Sequence, residues 1–529
     1  MTTREAIASP APQLPPGRAW AIAVLAFRLD SALAIGLGLL TIGLRYPWMM
    51  QLPWAWDSVL YLRAVFLFNA TIHQPQPPGY LLYVSLARLI ALFVQDDHRA
   101  LVWVSALAAG VATSALYLVA RLRFDRLTGL VAAGLLASSV TFWFYSEVAY
   151  PYTTLAAGTT ILALIALALR CGLLPGARGA AAAALAWAVL GGFRQDLLLF
   201  LGPLFLAAMW GRPARDWLAG LGAGAVGILA WLLPTAALSE GLEKYLPATL
   251  RQGGLVGGAS SIFSLGLEAL WLNAHTLGIF LWRGIGFALP GVLYRALRWG
   301  IRPSNRDPGH RWMALWAGPP LAFYLLAHIG DYGYTFSVLP ALMVLAARGL
   351  VLAGRDIARA GSWLVSRFVF RPEYPLQLGQ RAIPCLLAGA LVLGNAYLFV
   401  RHHSQLSAAG IACFDQTMAA RLRIVRERFR PDETLIFSSA YYQHVRYFLP
   451  RYRSWFWEPA QGPVSERRID PGIRWLVVFD ELAHPAAGQA SFEWVNLPCN
   501  QVPFYYTRVE AGDVVRFDGR SLTITVERR

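Results

Sequence analysis

The chain has 529 residues, of which 57% are hydrophobic and 14% charged, with a mean hydropathy of +0.46. A soluble chain carries roughly 25% charged residues, so this composition excludes a freely soluble globular protein and places much of the length in lipid. The net charge of +16 does not point to nucleic acid, because the arginines fall in short clusters between apolar segments, which is a topology signal.

Residues 1–18 are a weakly basic, Pro-containing tail with no cleavable signal peptide, read as cytoplasmic. Apolar runs then predict about eleven spanning helices, each near the ~20 residues that cross a bilayer. They fall at 19–43, 99–120, 128–145, 149–169, 179–193, 196–210, 217–238, 273–293, 312–329, 335–353 and 382–401. Arg4 and Arg18 precede the first. Alternate loops carry Arg121, Arg123 and Arg126; Arg170 and Arg178; Arg212 and Arg215; Arg295, Arg298, Arg302, Arg306 and Arg311; and Arg355, Arg359, Arg367, Arg371 and Arg381. By the positive-inside rule these loops are cytoplasmic, and the Arg-poor loops face outward. The odd helix count puts the C-terminal region outside, in a multi-pass protein of the inner (plasma) membrane.

The first outer loop is 44–98. Its stretches 57–69 and 78–94 read as helices lying at the outer surface, since a crossing at 78–94 would invert every later Arg cluster. Residues 239–272 form a second long outer loop, read as a flexible lid or a plain loop. From 402 the apolar runs shorten. Helices at 415–429 and 441–449, strands at 434–438 and 474–479 and a β-rich end at 503–527 predict a small α/β domain over 402–529. The fold class is therefore mainly α, a polytopic helical bundle over 19–401 with a small extracytoplasmic α/β domain. Cys171, Cys385, Cys413 and Cys499 lie far apart without metal-ligand spacing. Cys413 and Cys499 both fall in the outer domain, either as a bridge or as two free thiols.

The chemistry concentrates in the outer loops. Trp54-Ala-Trp56-Asp57 sets one carboxylate among interfacial aromatics, where low-dielectric surroundings favour a raised pKa and base chemistry. A lone loop Asp is otherwise a cap or a solvated charge. Then comes His73-Gln-Pro-Gln-Pro77-Pro78-Gly79-Tyr80. Glu147 follows the third span in Tyr145-Ser-Glu147-Val-Ala-Tyr150. Two carboxylates facing one cavity could bind acceptor hydroxyls or a divalent metal, although an acid at a helix junction is also commonly a solvated cap. Outer arginines are few. Arg194 sits in a tight turn, and Arg283 about two turns inside the eighth span, where a charge is a functional-site candidate with a phosphate as its partner. The segment His328-Ile-Gly-Asp331-Tyr-Gly-Tyr334 closes the set, with His328 and Tyr334 as candidate carrier contacts.

Taken together, Asp57, the Pro77-Pro78-Gly79-Tyr80 turn, Glu147, Arg194 and the 328–340 turn resemble the GT-C glycosyltransferases. The branch they resemble comprises the protein-mannosyltransferases, aminoarabinose transferases and galacturonosyltransferases. The resemblance covers roughly residues 20–350. It implies a membrane glycosyltransferase that moves a hexosyl or pentosyl group from a polyprenyl-phosphate donor to a lipid, glycan or protein acceptor, as in lipopolysaccharide modification or protein glycosylation. It implies Asp57 as the catalytic base with Glu147 beside it. His73, Tyr80, Arg194, Arg283, His328 and Tyr334 would bind substrate. No cofactor is implied with certainty; a divalent metal ion is one option. The rival reading is a polytopic lipid or solute transporter, which predicts internal repeats and midplane polar sites. A non-catalytic scaffold is a third.

Overall fold

A computed structural model describes residues 16–301, 309–368, 373–458, 462–487, 491–500 and 502–528. The tail expected at 1–18, apart from its end, lies outside the described residues, as do Arg302, Arg306 and Arg371.

The first part of the chain is helical throughout. It runs through α1 (Pro16–Arg45), α2 (Trp56–Phe66), α3 (Leu81–Val94), α4 (Asp97–Arg123), α5 (Arg126–Ser138), α6 (Val140–Tyr145) and α7 (Tyr152–Arg170). Next come α8 (Gly176–Gly191), α9 (Asp196–Met209), α10 (Ala214–Leu238), α11 (Leu242–Ser260), α12 (Ile262–Leu265) and α13 (Leu267–Ile285). The bundle closes with α14 (Leu289–Ile301), α15 (Gly309–Leu326), α16 (Leu339–Phe368) and α17 (Glu373–Arg401).

Every predicted span falls on a helix or a helix pair. Seven helical stretches among the described residues are long and apolar enough to cross a membrane, and α3, α5 and α9 are shorter apolar helices. The chain is thus a multi-pass membrane protein, and eleven crossings remain a proposal. Outward-facing Leu39, Leu218, Leu229 and Leu393 are exposed on spanning helices, as lipid-facing side chains should be.

Two expectations change. Residues 239–272 are helical as α11 and α12, not a loop. And the predicted span 273–293 is broken. Gly286, at φ 51, takes a left-handed conformation that favours glycine, and it separates α13 from α14.

The basic clusters gather at one end of the bundle and find carboxylates there. Asp30 accepts from Arg121 Nε (3.0 Å) and Arg126 Nε (2.8 Å). Asp125 caps α5 and accepts from Arg348 and Arg355, each at 3.2 Å. Asp356 pairs with Arg298 and Arg359. The candidate site lies at the other end, beneath the C-terminal domain.

That domain contains α18 (Ala408–Arg428), β1 (Thr434–Ser438), α19 (Tyr442–Phe448), β2 (Arg453–Phe456), β3 (Val464–Arg468), β4 (Trp475–Val478) and β5 (His484–Pro485), then β6 (Glu493–Val495), β7 (Phe504–Arg508), β8 (Val514–Asp518) and β9 (Thr523–Glu527). One sheet has the order β2-β1-β4-β7-β6, parallel through its first three strands and antiparallel beyond. The other is β3-β8-β9-β5. Strand β1 is buried along its whole length because both faces are covered. Leu435 and Phe437 meet the second sheet, and Ile436 joins the core that contains α18. The α/β expectation holds, with a second sheet that the β-rich end only hinted at.

Candidate active site

Asp57 lies in the first turn of α2, after an extended Ala55. Its negative charge there complements the helix N-terminus. The segment before it is gripped by the C-terminal domain. The backbone N–H groups of Gln51 and Leu52 both donate to the Asp415 carboxylate of α18, at 2.9 Å. His444 Nε2 donates to the Pro53 carbonyl at 2.7 Å. Trp54 packs between Phe144 (5.2 Å) and Phe414 (4.8 Å), and Trp56 against Phe456 (5.6 Å). These tryptophans, expected as an interfacial belt, instead fill the joint between bundle and domain.

Around Asp57 is a cage of tyrosines from distant elements. Gln76 favours the charged form of the Asp57 carboxyl and donates to the Tyr61 hydroxyl at 3.2 Å. Tyr61 meets Tyr80, Tyr83 and Tyr150 edge-on. Tyr150 stacks on Tyr152 at 5.0 Å. The Tyr145 hydroxyl donates to Asp331, which caps the turn Tyr332–Ser337 by accepting from Gly333 N. At Gly333 a Cβ would meet the Tyr152 ring at 2.1 Å, so glycine is required for the close approach. Arg194 is buried, with Tyr80, Tyr152 and Tyr334 rings 5.2–5.7 Å from its guanidinium. It pairs with Asp196 at 2.6 Å.

Burial, then the negative charge of Asp331, push the Asp57 carboxyl up to about 6, against the opposing Arg194 charge and Gln76. Asp331 is itself raised by burial, with the Tyr145 hydroxyl and the turn amides resisting. A carboxylate poised near neutrality in an aromatic cage is suited to proton transfer.

The structure brings Asp57, Tyr80, Arg194 and Tyr334 together. His328 joins their edge, meeting the Tyr334 ring at 5.7 Å with its Nδ1 2.7 Å from Ser260 Oγ. Two expectations need correction. Glu147 does not face the cavity with Asp57. It is fully buried, accepts from Trp143 Nε1 at 3.0 Å and lies under the influence of Arg45. The 145–152 turn offers Tyr145, Tyr150 and Tyr152 to the cage, and the second carboxylate is Asp331. His73 sits exposed at φ 58 on the tip of a turn. No hydrogen bond, ion pair or ring contact among the described residues joins it to Asp57 or Arg194. Arg283 is exposed in the last turn of α13, beside the Gly286 break, and donates to the Tyr332 hydroxyl at 2.7 Å.

Sequence reasoning left out Asp331 as a site carboxylate, Asp196, Gln76, Tyr61, Tyr145, Tyr150 and Tyr152. The run Tyr145…Tyr150-Pro-Tyr152 is the one local signal that could have marked the cage. Among the described residues no three His, Cys, Asp or Glu side chains group as a metal site.

No family model matches the chain, and no curated protein matches it by sequence. Solved structures do. ArnT from Cupriavidus metallidurans bound to undecaprenyl phosphate is 15% identical, with a TM-score of 0.51 over 92% of this chain and 98% of that one. The apo state of the same protein gives 13% identity and a TM-score of 0.49 over the same shares. The archaeal oligosaccharyltransferase AglB from Archaeoglobus fulgidus, in complex with an inhibitory peptide and a dolichol-phosphate, gives 14% and 0.47 over 84% of this chain and 69% of that one. The chain shares the ArnT fold over nearly its full length.

Proposed function

We propose that the protein is a membrane glycosyltransferase that moves a sugar from a polyprenyl-phosphate carrier to an acceptor hydroxyl. The observation that carries the reading is the raised Asp57 carboxyl in the tyrosine cage, at one end of a bundle that shares the fold of ArnT, a protein solved with undecaprenyl phosphate. In this reading the ionised Asp57 takes the proton of the acceptor hydroxyl as its oxygen attacks the anomeric carbon. The carrier phosphate leaves from the opposite face, so the configuration inverts. The tyrosine hydroxyls orient the sugar and acceptor.

Arg283 is the residue assigned to the leaving phosphate. It is exposed and pairs with a neutral phenol, so its charge is available for a bidentate grip. Arg194 is largely neutralised by Asp196 and holds the cage and the ionisation of Asp57 instead. An apolar groove of about 170 Å³, lined by Leu86, Leu107, Val111, Ile161, Leu190 and Phe193, suits a prenyl chain. The donated group is a hexosyl or pentosyl unit, and the acceptor is a lipid, glycan or protein. The Arg-rich end faces the cytoplasm of an inner-membrane protein, and the site and C-terminal domain face outward. Comparing envelope glycolipids by mass spectrometry with and without the protein tests the reading. Loss of one glycosylated species supports it; an unchanged profile, with unchanged protein glycosylation, contradicts it.

A further inference from the structure

Cys413 lies on α18, and Cys499 on the turn Pro498–Asn500 between β6 and β7. The two thiols are near enough to influence each other's ionisation. Thr417 Oγ1 donates to the Pro498 carbonyl at 3.5 Å, and Cys499 Sγ lies 3.9 Å from Gln416 Oε1, so helix and turn are already in register. Both cysteines line one cavity of about 750 Å³, with Trp54, Gln405, Tyr441 and Glu481. Cys171 and Cys385 sit on other elements and are exposed.

We propose that Cys413 and Cys499 are a redox pair whose disulfide staples α18 to the edge of the first sheet. The two residues after Cys413 are those that grip the Asp57 segment: Phe414 packs on Trp54, and Asp415 accepts from Gln51 and Leu52. The staple thus fixes the helix turn that positions Asp57. Cys499 is the exposed member and meets the oxidant, while the half-buried Cys413 resolves; burial and the neighbouring Cys413 push the Cys499 thiol up to about 11, so the exchange should quicken as pH rises. The Cys499 thiolate attacks a disulfide-bearing oxidant, and one oxidant thiol leaves. The Cys413 thiolate then attacks the Cys499 sulfur of the mixed disulfide and expels the second. Two protein thiols are oxidised, the oxidant disulfide is reduced to two thiols, and the protons pass to the departing thiolates. Formation in the cell rests on the outward placement of the C-terminal domain.

The test uses the full-length protein, acid-quenched and alkylated before and after reduction, with peptide mapping. Protein from cells is compared with reduced protein incubated with oxidised glutathione. The proposal expects a Cys413–Cys499 cross-linked peptide in both, a mass lower by two hydrogens, and a reductant-sensitive thermal midpoint that Cys413→Ser and Cys499→Ser each make insensitive. A link formed with glutathione but absent from cells upholds the pair and counts against the outward placement. Both thiols alkylated with no cross-link after glutathione overturns the pair, whatever the topology.

Discussion

Asp331 and Asp57 belong to one electrostatic cluster, and the charge of Asp331 adds to burial in holding the Asp57 carboxyl near 6. Arg194 acts on Asp57 in the opposite sense. The balance among the three sets the pH dependence. If Asp57 takes the acceptor proton it must be ionised, so transfer should fall as pH drops through about 6, by about tenfold per unit below it. Asp331→Asn removes a negative neighbour and should move this acid limb to lower pH. Arg194→Gln removes a positive one and should move it to higher pH. Rate profiles that coincide for wild type and both variants would separate the limb from this cluster.

Arg283→Ala should raise the donor KM by about 10- to 100-fold, the worth of a charge-assisted phosphate contact, and leave the acceptor KM unchanged. Tyr332→Phe removes only the phenol that orients the guanidinium and should do less. Initial rates at varied donor and acceptor distinguish the two sides. A change confined to the acceptor would remove Arg283 from the carrier phosphate.

Asp415→Ala leaves the amides of Gln51 and Leu52 without their carboxylate, at a cost of about 2 kcal/mol in stability. It should lower kcat more than it changes donor affinity, since it loosens the segment before Asp57. Asp415→Asn keeps an acceptor oxygen and should recover part of the loss. Thermal unfolding in detergent, read beside turnover, checks both. Unchanged turnover in Asp415→Ala would mean that the C-terminal grip is irrelevant to catalysis.

Helix α11 joins the two edges of the site. Near its start the Tyr245 hydroxyl donates to the Pro78 carbonyl (2.9 Å), and at its end Ser260 Oγ donates to the Ala327 carbonyl (3.2 Å). Gly254 and Gly257 lie within it, and a Cβ at either meets nothing within 4 Å. Gly254→Ala and Gly257→Ala should each stabilise the helix by about 1 kcal/mol. Hydrogen exchange over 242–260 should slow in the double variant. Unchanged exchange would show that these glycines do not limit the stability of the helix.

Much of the frame was legible because lipid demands long apolar runs, and their boundaries survive in the helices. Strand Thr434–Ser438 was legible for a similar reason, since a strand covered on both faces is apolar along its length. The cage was less so. Asp57 announced itself by its tryptophans, but Asp331, Gln76 and Tyr150 reach it only through tertiary packing of elements far apart in the chain. Glu147 misled because a turn between helices reverses direction within a few residues. Its neighbours Tyr145 and Tyr150 take the site, while its own carboxylate meets Trp143.

The central claim is that Asp57 is the base. The direct measurement is the initial rate of sugar transfer from an undecaprenyl-phosphate-linked donor in membranes that contain the natural acceptors, for wild type and Asp57→Asn, with undecaprenyl phosphate binding measured on the purified proteins. The substitution keeps size and removes the ionisable carboxyl. With Asp57 as the base, the rate falls by about 10²-fold or more and binding is retained. Transfer near the wild-type rate would contradict it.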